Sequence, residues 1–586
     1  MSHDQDPLYR KRHSLSHLMS MAIVEMYPNA GLGVGPAIED GFYQDYDLPE
    51  PISEELFPKI EKRMREMIKE EIAFVQHEMD PDEAIKEYPH DPYKRELIDE
   101  LVKRGEKTVS FYKSGNFENL CAGPHVVSTK EIDPESFKLT KIAGAYWRGD
   151  EHNKMLTRIY GVAFETKKEL DAYLERLEEA KKRDHRKLGS ELDLFVFSDV
   201  VGKGLPLFTP RGATLRRILE RFIVDEEIRR GYLHVTTPDI AKLDLYKKSG
   251  HYPHYKDSMY APIQIDGEEF MLRPMTCPHH YELFLSKPRS YRDLPMRIAE
   301  VAKLYRYEQS GELSGLMRVR SFCLADAHII CADEAQAIEE VGKALDLIEF
   351  VAEKFGLRMG DDYSYRLSLG DRNDTEKYYK NDPAWDKGEQ LLREMLKMRK
   401  CSFVEAEGEA AFYGPKVDIQ MKNVLGKEDT AFTVQYDFCM PDRFELDYAA
   451  SDGSKKRAVV VHRSSIGAIE RIIAFLIEHY AGAFPLWLAP EQVRLVSVGE
   501  AHVEFVETLA GALRAESVRV ETDTSSGTIG AKVRRAAGMK IPWTIVVGDK
   551  EMAGGDFQVN VFGQEKKRVV PQSDLVEHIK KETGHA

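Results

Sequence analysis

The chain has 586 residues, 42% hydrophobic and 31% charged, with a formal net charge of −16. Such a length exceeds what one core organises and predicts three or four domains of about 100–200 residues each. The composition is that of a soluble globular protein, no run reaches the roughly 18 apolar residues of a membrane span, and the acidic balance argues against broad non-specific binding to DNA or RNA while leaving local basic grooves open.

The N-terminus, MSHDQDPLYRKRHSLSH, is acidic early and has no apolar core, so it reads as neither a secretory signal nor a transit peptide and predicts a cytoplasmic protein. Apolar positions at helical spacing (Leu15, Leu18, Ala22, Met26) predict a helix over 11–26, and residues 54–78 and 165–188 predict further helices rich in Glu, Lys and Arg. The charged tract Glu178–Lys187 reads as a solvated helix ending near Gly189, where a domain boundary is expected. From 191 to about 485 helices alternate with short strands, including a long amphipathic helix at Asp333–Phe355 and an apolar one at Ile466–His479. The segment Pro485-Leu486-Trp487-Leu488-Ala489-Pro490 punctuates the chain. Beyond it, strands at Val493–Val498, Val518–Glu521 and Trp543–Val547 alternate with helices at His502–Ala515 and Thr528–Gly538, the order of a compact α/β domain.

Six cysteines (Cys121, Cys277, Cys323, Cys331, Cys401, Cys439) over so long a chain make no disulfide framework, which leaves packing, metal binding or catalysis. Cys277, His328 and His462 are candidate metal ligands, although no short CxxC spacing joins them and spacing alone favours a buried thiol and two structural histidines. Between Leu304 and Phe322 arginine and glutamate flank a Gly-rich turn; such a hairpin could hold a polyphosphate, since the planar guanidinium binds phosphate bidentately and keeps its charge. In the N-terminal third, His13-x-x-x-His17 puts two rings on one helix face, and Cys121-x-x-x-His125 follows, together a zinc-type signature.

Arg306-x-Glu308 resembles motif 2 of class II aminoacyl-tRNA synthetases, Val235-Thr236-Thr237-Pro238 resembles motif 1, and Gly467-Ala468-Ile469-Glu470-Arg471 resembles motif 3. Within that class, Met275-Thr276-Cys277-Pro278, Asp326-Ala327-His328 and Val461-His462-Arg463 are similar to the zinc-ligand segments of threonyl-tRNA synthetases, as are Phe412–Lys416 and Thr433–Gln435 to other pocket segments. The resemblance covers nearly the whole chain. It implies a multidomain α+β and α/β protein: an N-terminal α+β editing domain (1–165), a helical linker (166–190), a class II antiparallel sheet flanked by helices (191–486), and a C-terminal α/β anticodon-binding domain (487–586).

The same resemblance implies ATP-dependent ligation of L-threonine to tRNA(Thr) by a likeness-based set of residues. Cys277, His328 and His462 would hold one Zn2+ per subunit; Asp326, Tyr413 and Gln435 would line the amino-acid pocket; Arg306, Glu308, Arg318, Phe322 and Arg471 would bind ATP with Mg2+; Lys416 would join the catalytic set; and His251 would move a proton in the transfer to tRNA. His13, His17, Lys94, Asn119, Cys121 and His125 resemble an editing pocket that removes serine from tRNA without a metal. Lys532, Arg534, Lys550 and Glu551 would face the anticodon, and motif 1 would pair two chains as a homodimer. Selection explains the two sites: an apolar pocket separates a hydroxyl from a methyl by only about 10²-fold, and serine differs from threonine by one methyl worth about 1–3 kcal/mol.

Departures from the family pattern accompany the likeness. Leu324 stands where Gln is usual, Asn119 where Asp is usual, and Asn560-Val561-Phe562 where Arg-x-Arg is common; His13 comes too early to leave room for the extra small β-rich domain of many relatives, which predicts a shortened form. The rival readings are a paralogue that only deacylates mischarged tRNA and an RNA-binding regulator on the same scaffold; the retained phosphate-binding arginines weigh against both.

Overall fold

The structure, a computed structural model, describes residues 6–89 and 91–583. The chain divides into two compact units, Met1–Glu178 and Glu179–Ala586.

In the first unit the helix Pro7–Met26 opens on Asp6, whose side chain accepts from Leu8 N, with proline in the first turn, where no amide partner is lost. Its buried Leu15, Leu18, Met19 and Ile23 share a core with Phe42, Tyr46, Ile60, Met64 and Ile159. Antiparallel strands Gly31–Leu32, Gly41–Asp47, Met155–Ala163 and Phe137–Tyr146 follow in that order across one sheet, and Phe74–Met79, Val109–Ser114 and Phe117–Leu120 form another.

Two helix expectations need correction here. The helix expected over 54–78 ends at Lys69, and Phe74–Met79 is a strand paired antiparallel with Val109–Ser114. The Glu- and Lys-rich composition favours helix through Glu71, but the pairing partner overrides that local preference beyond it. The helix expected over 165–188 is two helices, Lys167–Arg183 and His185–Glu191, because Asp184 leaves helical geometry and caps Arg186 N. Gly189 lies inside the second of these; a Cβ there would stand 2.3 Å from Phe195, so close packing rather than helix termination requires the glycine.

The second unit is organised on an eight-stranded sheet, in the order Leu233–His234, Met296–Tyr305, Ser321–Cys331, Val459–Ala468, Glu428–Asp437, Lys416–Lys422, Tyr363–Leu369 and Phe403–Glu407. Its pairs are antiparallel except at the two edges. Ala327, Ile329, Val434 and Val461 on one face join the core formed with Val341, Leu345 and Ile348 of the helix Glu334–Lys354 and Ile473 of the helix Ile469–His479. The helix expected from Ile466 begins at Ile469, because the strand Val459–Ala468 keeps pairing through Ala468 opposite Leu324. Gly467 makes that junction: its φ is +70° and a Cβ would meet Ala431 O at 2.3 Å.

The C-terminal part of this unit has its own sheet, ordered Val520–Asp523, Val493–Ser497, Trp543–Val547, Phe557–Val561 and Arg568–Val570, with the first three strands parallel. Helices Val503–Ala515, Ile529–Gly538 and Leu575–Thr583 complete the α/β arrangement.

Candidate active site

Side chains alternate along a strand, so residues paired across neighbouring strands form rows on one sheet face. His328 is opposite His462, which is opposite Gln435; one step along, Asp326 is opposite Ser464, which is opposite Thr433. These two rows floor a cleft. Cys277 reaches it from the first turn of the helix Cys277–Leu285, and Tyr413 stacks on His462 with ring centroids 4.8 Å apart while its hydroxyl donates to Gln435 Oε1 at 2.6 Å.

One thiol and two imidazoles, all buried, bring their donor atoms within 4.8 Å of one another at Cys277, His328 and His462. Burial pushes the Cys277 thiol up, with Asp326 and Asp437 adding to it, and burial pushes the His328 imidazole down, with His462 and His280 adding to it. Thr276 Oγ1 donates to Asp326, whose carboxyl is raised by burial against the pull of that bond.

The other half of the cleft is cationic. Arg306, Arg318 and Arg471 line it together with Glu308 and Phe322, and the Arg306 guanidinium lies 5.2 Å from the centre of the Phe322 ring. Arg471 donates to Met317 O at 3.1 Å and Thr430 O at 3.0 Å, which fixes its guanidinium plane. Burial and the neighbouring Arg306 and Arg318 lower its pKa, as expected where like charges converge on a place built for an anion. Leu324 also lines the cleft and packs with Ala302, Leu304, Val319 and Phe322.

Two expected catalytic residues lie elsewhere. Lys416 belongs to the row of His462 and Gln435 but does not line the cleft; its ammonium is 2.8 Å from buried Asp418. His251 is fully buried behind Cys277, with Nε2 3.8 Å from Sγ and Nδ1 2.7 Å from Ser249 Oγ. Its two nitrogens face Cys277 and Ser249. Residues the sequence reading missed stand behind the ligands: Asp437, whose Oδ2 is 2.7 Å from His462 Nε2, and His280, whose Nδ1 is 2.8 Å from His328 Nδ1. His280 lies three positions after Cys277 on a helix too apolar to distinguish it from a core histidine.

In the first unit His13, His17, Cys121 and His125 form a second set with donor atoms within 4.8 Å of one another. His13 Nδ1 donates to Pro124 O at 3.1 Å, which leaves its Nε2 bare toward Cys121 Sγ at 3.4 Å; His125 Nε2 is 3.3 Å from the same sulfur. Lys94 is buried, and burial lowers its amine to about 8 against the opposing pull of Asp91 and Cys121. Among the described residues, buried Asn119 Oδ1 and His17 Nδ1 have no hydrogen-bond partner.

Of the residues expected to face an anticodon, Arg534 and Lys550 are exposed. Glu551 accepts from Gly548 N at 2.9 Å. Lys532 is a correction: it is buried, and its ammonium donates to Ser497 O at 2.8 Å, so it presents no charge to an RNA.

Comparison with known proteins agrees with this geometry. Residues 260–480 match the class II tRNA synthetase core domain (G, H, P, S and T), residues 492–582 an anticodon-binding domain, and residues 109–160 the second additional domain of threonyl- and alanyl-tRNA synthetases. A threonine–tRNA ligase of Geobacillus sp. (strain WCH70) is 50% identical over 574 residues, 97% of this chain and 88% of that protein. The chain belongs to the threonine–tRNA ligase family.

Solved members of the family share the fold. The RNA-binding domain of the Cryptosporidium parvum Iowa II threonyl-tRNA synthetase superposes with a TM-score of 0.64 at 33% identity, covering 68% of this chain and 98% of that one. A putative threonyl-tRNA synthetase of Aeropyrum pernix gives 0.60 at 31%, covering 69% and 97%. The family makes the chain an enzyme, a class II tRNA ligase with ATP, threonine and tRNA as substrates. No helix among the described residues is long and apolar enough to cross a membrane.

Proposed function

We propose that this ligase activates L-threonine with ATP and transfers it to tRNA(Thr), that a zinc ion at Cys277, His328 and His462 selects threonine over valine, and that the first unit hydrolyses seryl-tRNA(Thr). The observation that carries the reading is one cleft with two chemically different halves, a buried thiol-imidazole donor set beside three converging arginines.

The donor set suits zinc: one soft thiol and two imidazoles gathered on one wall of a cleft make a three-ligand site with open positions. Zinc held there would supply a Lewis acid suited to the amino group and side-chain hydroxyl of threonine, the second of which valine lacks. Asp326 accepts from the same hydroxyl, and Tyr413 and Gln435, already joined by a hydrogen bond, close the wall beside it. Arg306 meets the α-phosphate, Phe322 stacks on adenine, and Arg318 and Arg471 take the outer phosphates, which arrive with Mg2+. The threonine carboxylate then attacks the α-phosphate in line, displacing pyrophosphate, and a ribose hydroxyl of tRNA later displaces AMP; the chain contributes positioning and charge neutralisation.

Serine keeps the hydroxyl and passes this filter, so a second, hydrolytic site is needed. His13, His17, Cys121, His125 and Lys94 form that site, and Asn119 gives it a neutral amide where relatives carry a carboxylate. Exposed Arg534 and Lys550 are the contacts we assign to the anticodon, and motif 1 to a twofold dimer.

Threonine-dependent ATP–pyrophosphate exchange tests the reading. Threonine and some serine should react and valine should not; zinc removal and Cys277→Ala should each abolish the discrimination or the exchange. An intact, zinc-loaded protein without exchange would overturn the ligase reading in favour of the deacylase.

A further inference from the structure

The histidines of the cleft are backed by buried groups that determine which ring nitrogen is bare. Two imidazole Nδ1 atoms, of His280 and His328, face each other at 2.8 Å, so a single proton lies between them. The other nitrogen of His280, Nε2, faces Glu300 Oε2 at 3.4 Å. A carboxylate only accepts, so His280 Nε2 carries its proton. A neutral His280 therefore presents a bare Nδ1, accepts from His328 Nδ1–H, and leaves His328 Nε2 with its lone pair. The opposite arrangement, with a proton on His280 Nδ1, would put the His328 proton on Nε2 and remove it as a ligand.

Glu300 is itself held. Thr237 donates to it from N at 3.1 Å and from Oγ1 at 2.7 Å, and Arg273 donates at 3.2 Å. Burial opposes its charge, but His280, Thr237 and Arg273 together hold the carboxyl down at about 2. Arg273 also donates to Lys303 O at 2.7 Å and to Thr237 Oγ1 at 2.6 Å, so the segment after the strand Leu233–His234 is tied into the same network. On the other side Asp437 accepts from His462 Nε2 at 2.7 Å and from the amides of Cys439 at 2.8 Å and Met440 at 2.9 Å, which leaves His462 Nδ1 bare.

We infer that Thr237, Glu300 and His280 form a positioning relay that holds His328 in the tautomer with Nε2 bare, and that Asp437 does the same for His462 with Nδ1 bare. The relay rests on the zinc reading only for its purpose; the tautomers are properties of the metal-free protein. None of Thr237, Glu300, His280 or Asp437 lines the cleft, so each acts through a ligand and touches no substrate. The two carboxylates set opposite nitrogens on the two rings, one through an intervening imidazole and one directly.

The test uses the full chain with 15N-labelled histidine, read by NMR without metal, together with Zn2+ and Co2+ binding by chelator competition. The parent should have His328 protonated at Nδ1 and His462 protonated at Nε2. Glu300→Gln, which keeps shape but can donate as well as accept, should mix the His328 tautomers and weaken both metals about 10- to 100-fold, the usual cost of losing a group that orients a metal-binding histidine. His280→Ala should do the same, and His280→Asn, whose amide oxygen can accept where Nδ1 stood, should recover part of the loss. Asp437→Asn should disturb His462 alone. Circular dichroism and the thermal midpoint check that each variant is folded, and Thr237→Val, which keeps the shape but removes the hydroxyl that donates to Glu300, serves as the second variant should Glu300→Gln not fold; it should shift the His328 tautomers in the same direction. An unchanged His328 tautomer in folded Glu300→Gln overturns the relay. A parent that binds neither metal overturns the zinc reading, and the tautomer measurement still decides the relay.

Discussion

Arg471 is fixed before any phosphate arrives, because two of its donors are spent on Met317 O and Thr430 O. Its charge sits partly buried beside Arg306 and Arg318, and burial with these neighbours lowers its pKa against the opposing pull of Asp429 and Glu308, an arrangement that favours an incoming anion. Arg471→Ala should lower the rate of ATP–pyrophosphate exchange by about 10²–10³, the usual cost of removing one preorganised donor. Arg471→Lys should fall between, since it keeps charge but not the planar fork. The sequence made such residues legible by type and order: Arg306, Arg471 and the Cys277, His328 and His462 set all reach one cleft. It could not reveal burial, which is decided by the rest of the fold. Lys416 and Lys532 read as available cations, yet one is paired with Asp418 and the other is buried on Ser497. His280 and Asp437 were silent for the same reason, being polar residues in apolar surroundings with no motif of their own.

At the scale of elements, long periodic helices such as Glu334–Lys354 were readable within one residue, and so was the order of strands and helices expected in the C-terminal domain, although the strand expected at Val518–Glu521 lies at Val520–Asp523. The failures fell at junctions, where a strand partner far along the chain decides the outcome: Phe74–Met79 took a strand because Val109–Ser114 was there to pair with it, and Val459–Ala468 ran past Ile466 because Leu324 lay opposite Ala468. The second junction leads into the helix that carries Arg471, so Gly467 controls its aim. Gly467→Ala must either bear about 1–3 kcal/mol of left-handed backbone strain or shift the junction away from Ala431 O. The denaturant midpoint and the exchange rate should both drop, and a variant as stable and active as the parent would show that the turn is not needed.

At the scale of the whole molecule, buried neutral histidines should make the first unit sensitive to acid. Burial lowers His13 to about 4 and His125 to about 2, each below the ordinary 6.5, and lowers His17 as well. The unfolded chain therefore binds protons first as the pH falls below about 6.5, and the first unit loses stability from there down to about 4 through His13 and on down to about 2 through His125. Each of these histidines should cost about 1 kcal/mol between pH 7 and pH 5.5. Hydrogen exchange in the helix Pro7–Met26, corrected for the intrinsic rate, should register the loss, and His125→Asn should remove its share; opening energies independent of pH would contradict the buried neutral histidines.

The rows on the eight-stranded sheet bear on how the cleft comes into being. Its donors arise on a helix at Cys277 and on two separate strands, and they meet only when Ser321–Cys331 and Val459–Ala468 are aligned residue for residue. A slip of one residue would turn a row to the opposite face, among the helices. A cation taken up by these three donors thus has no foothold on a half-made sheet; its capture would time-stamp the closing of a pairing between strands more than a hundred residues apart, and a nascent or misaligned copy would be distinguishable from a finished one by its failure to hold metal.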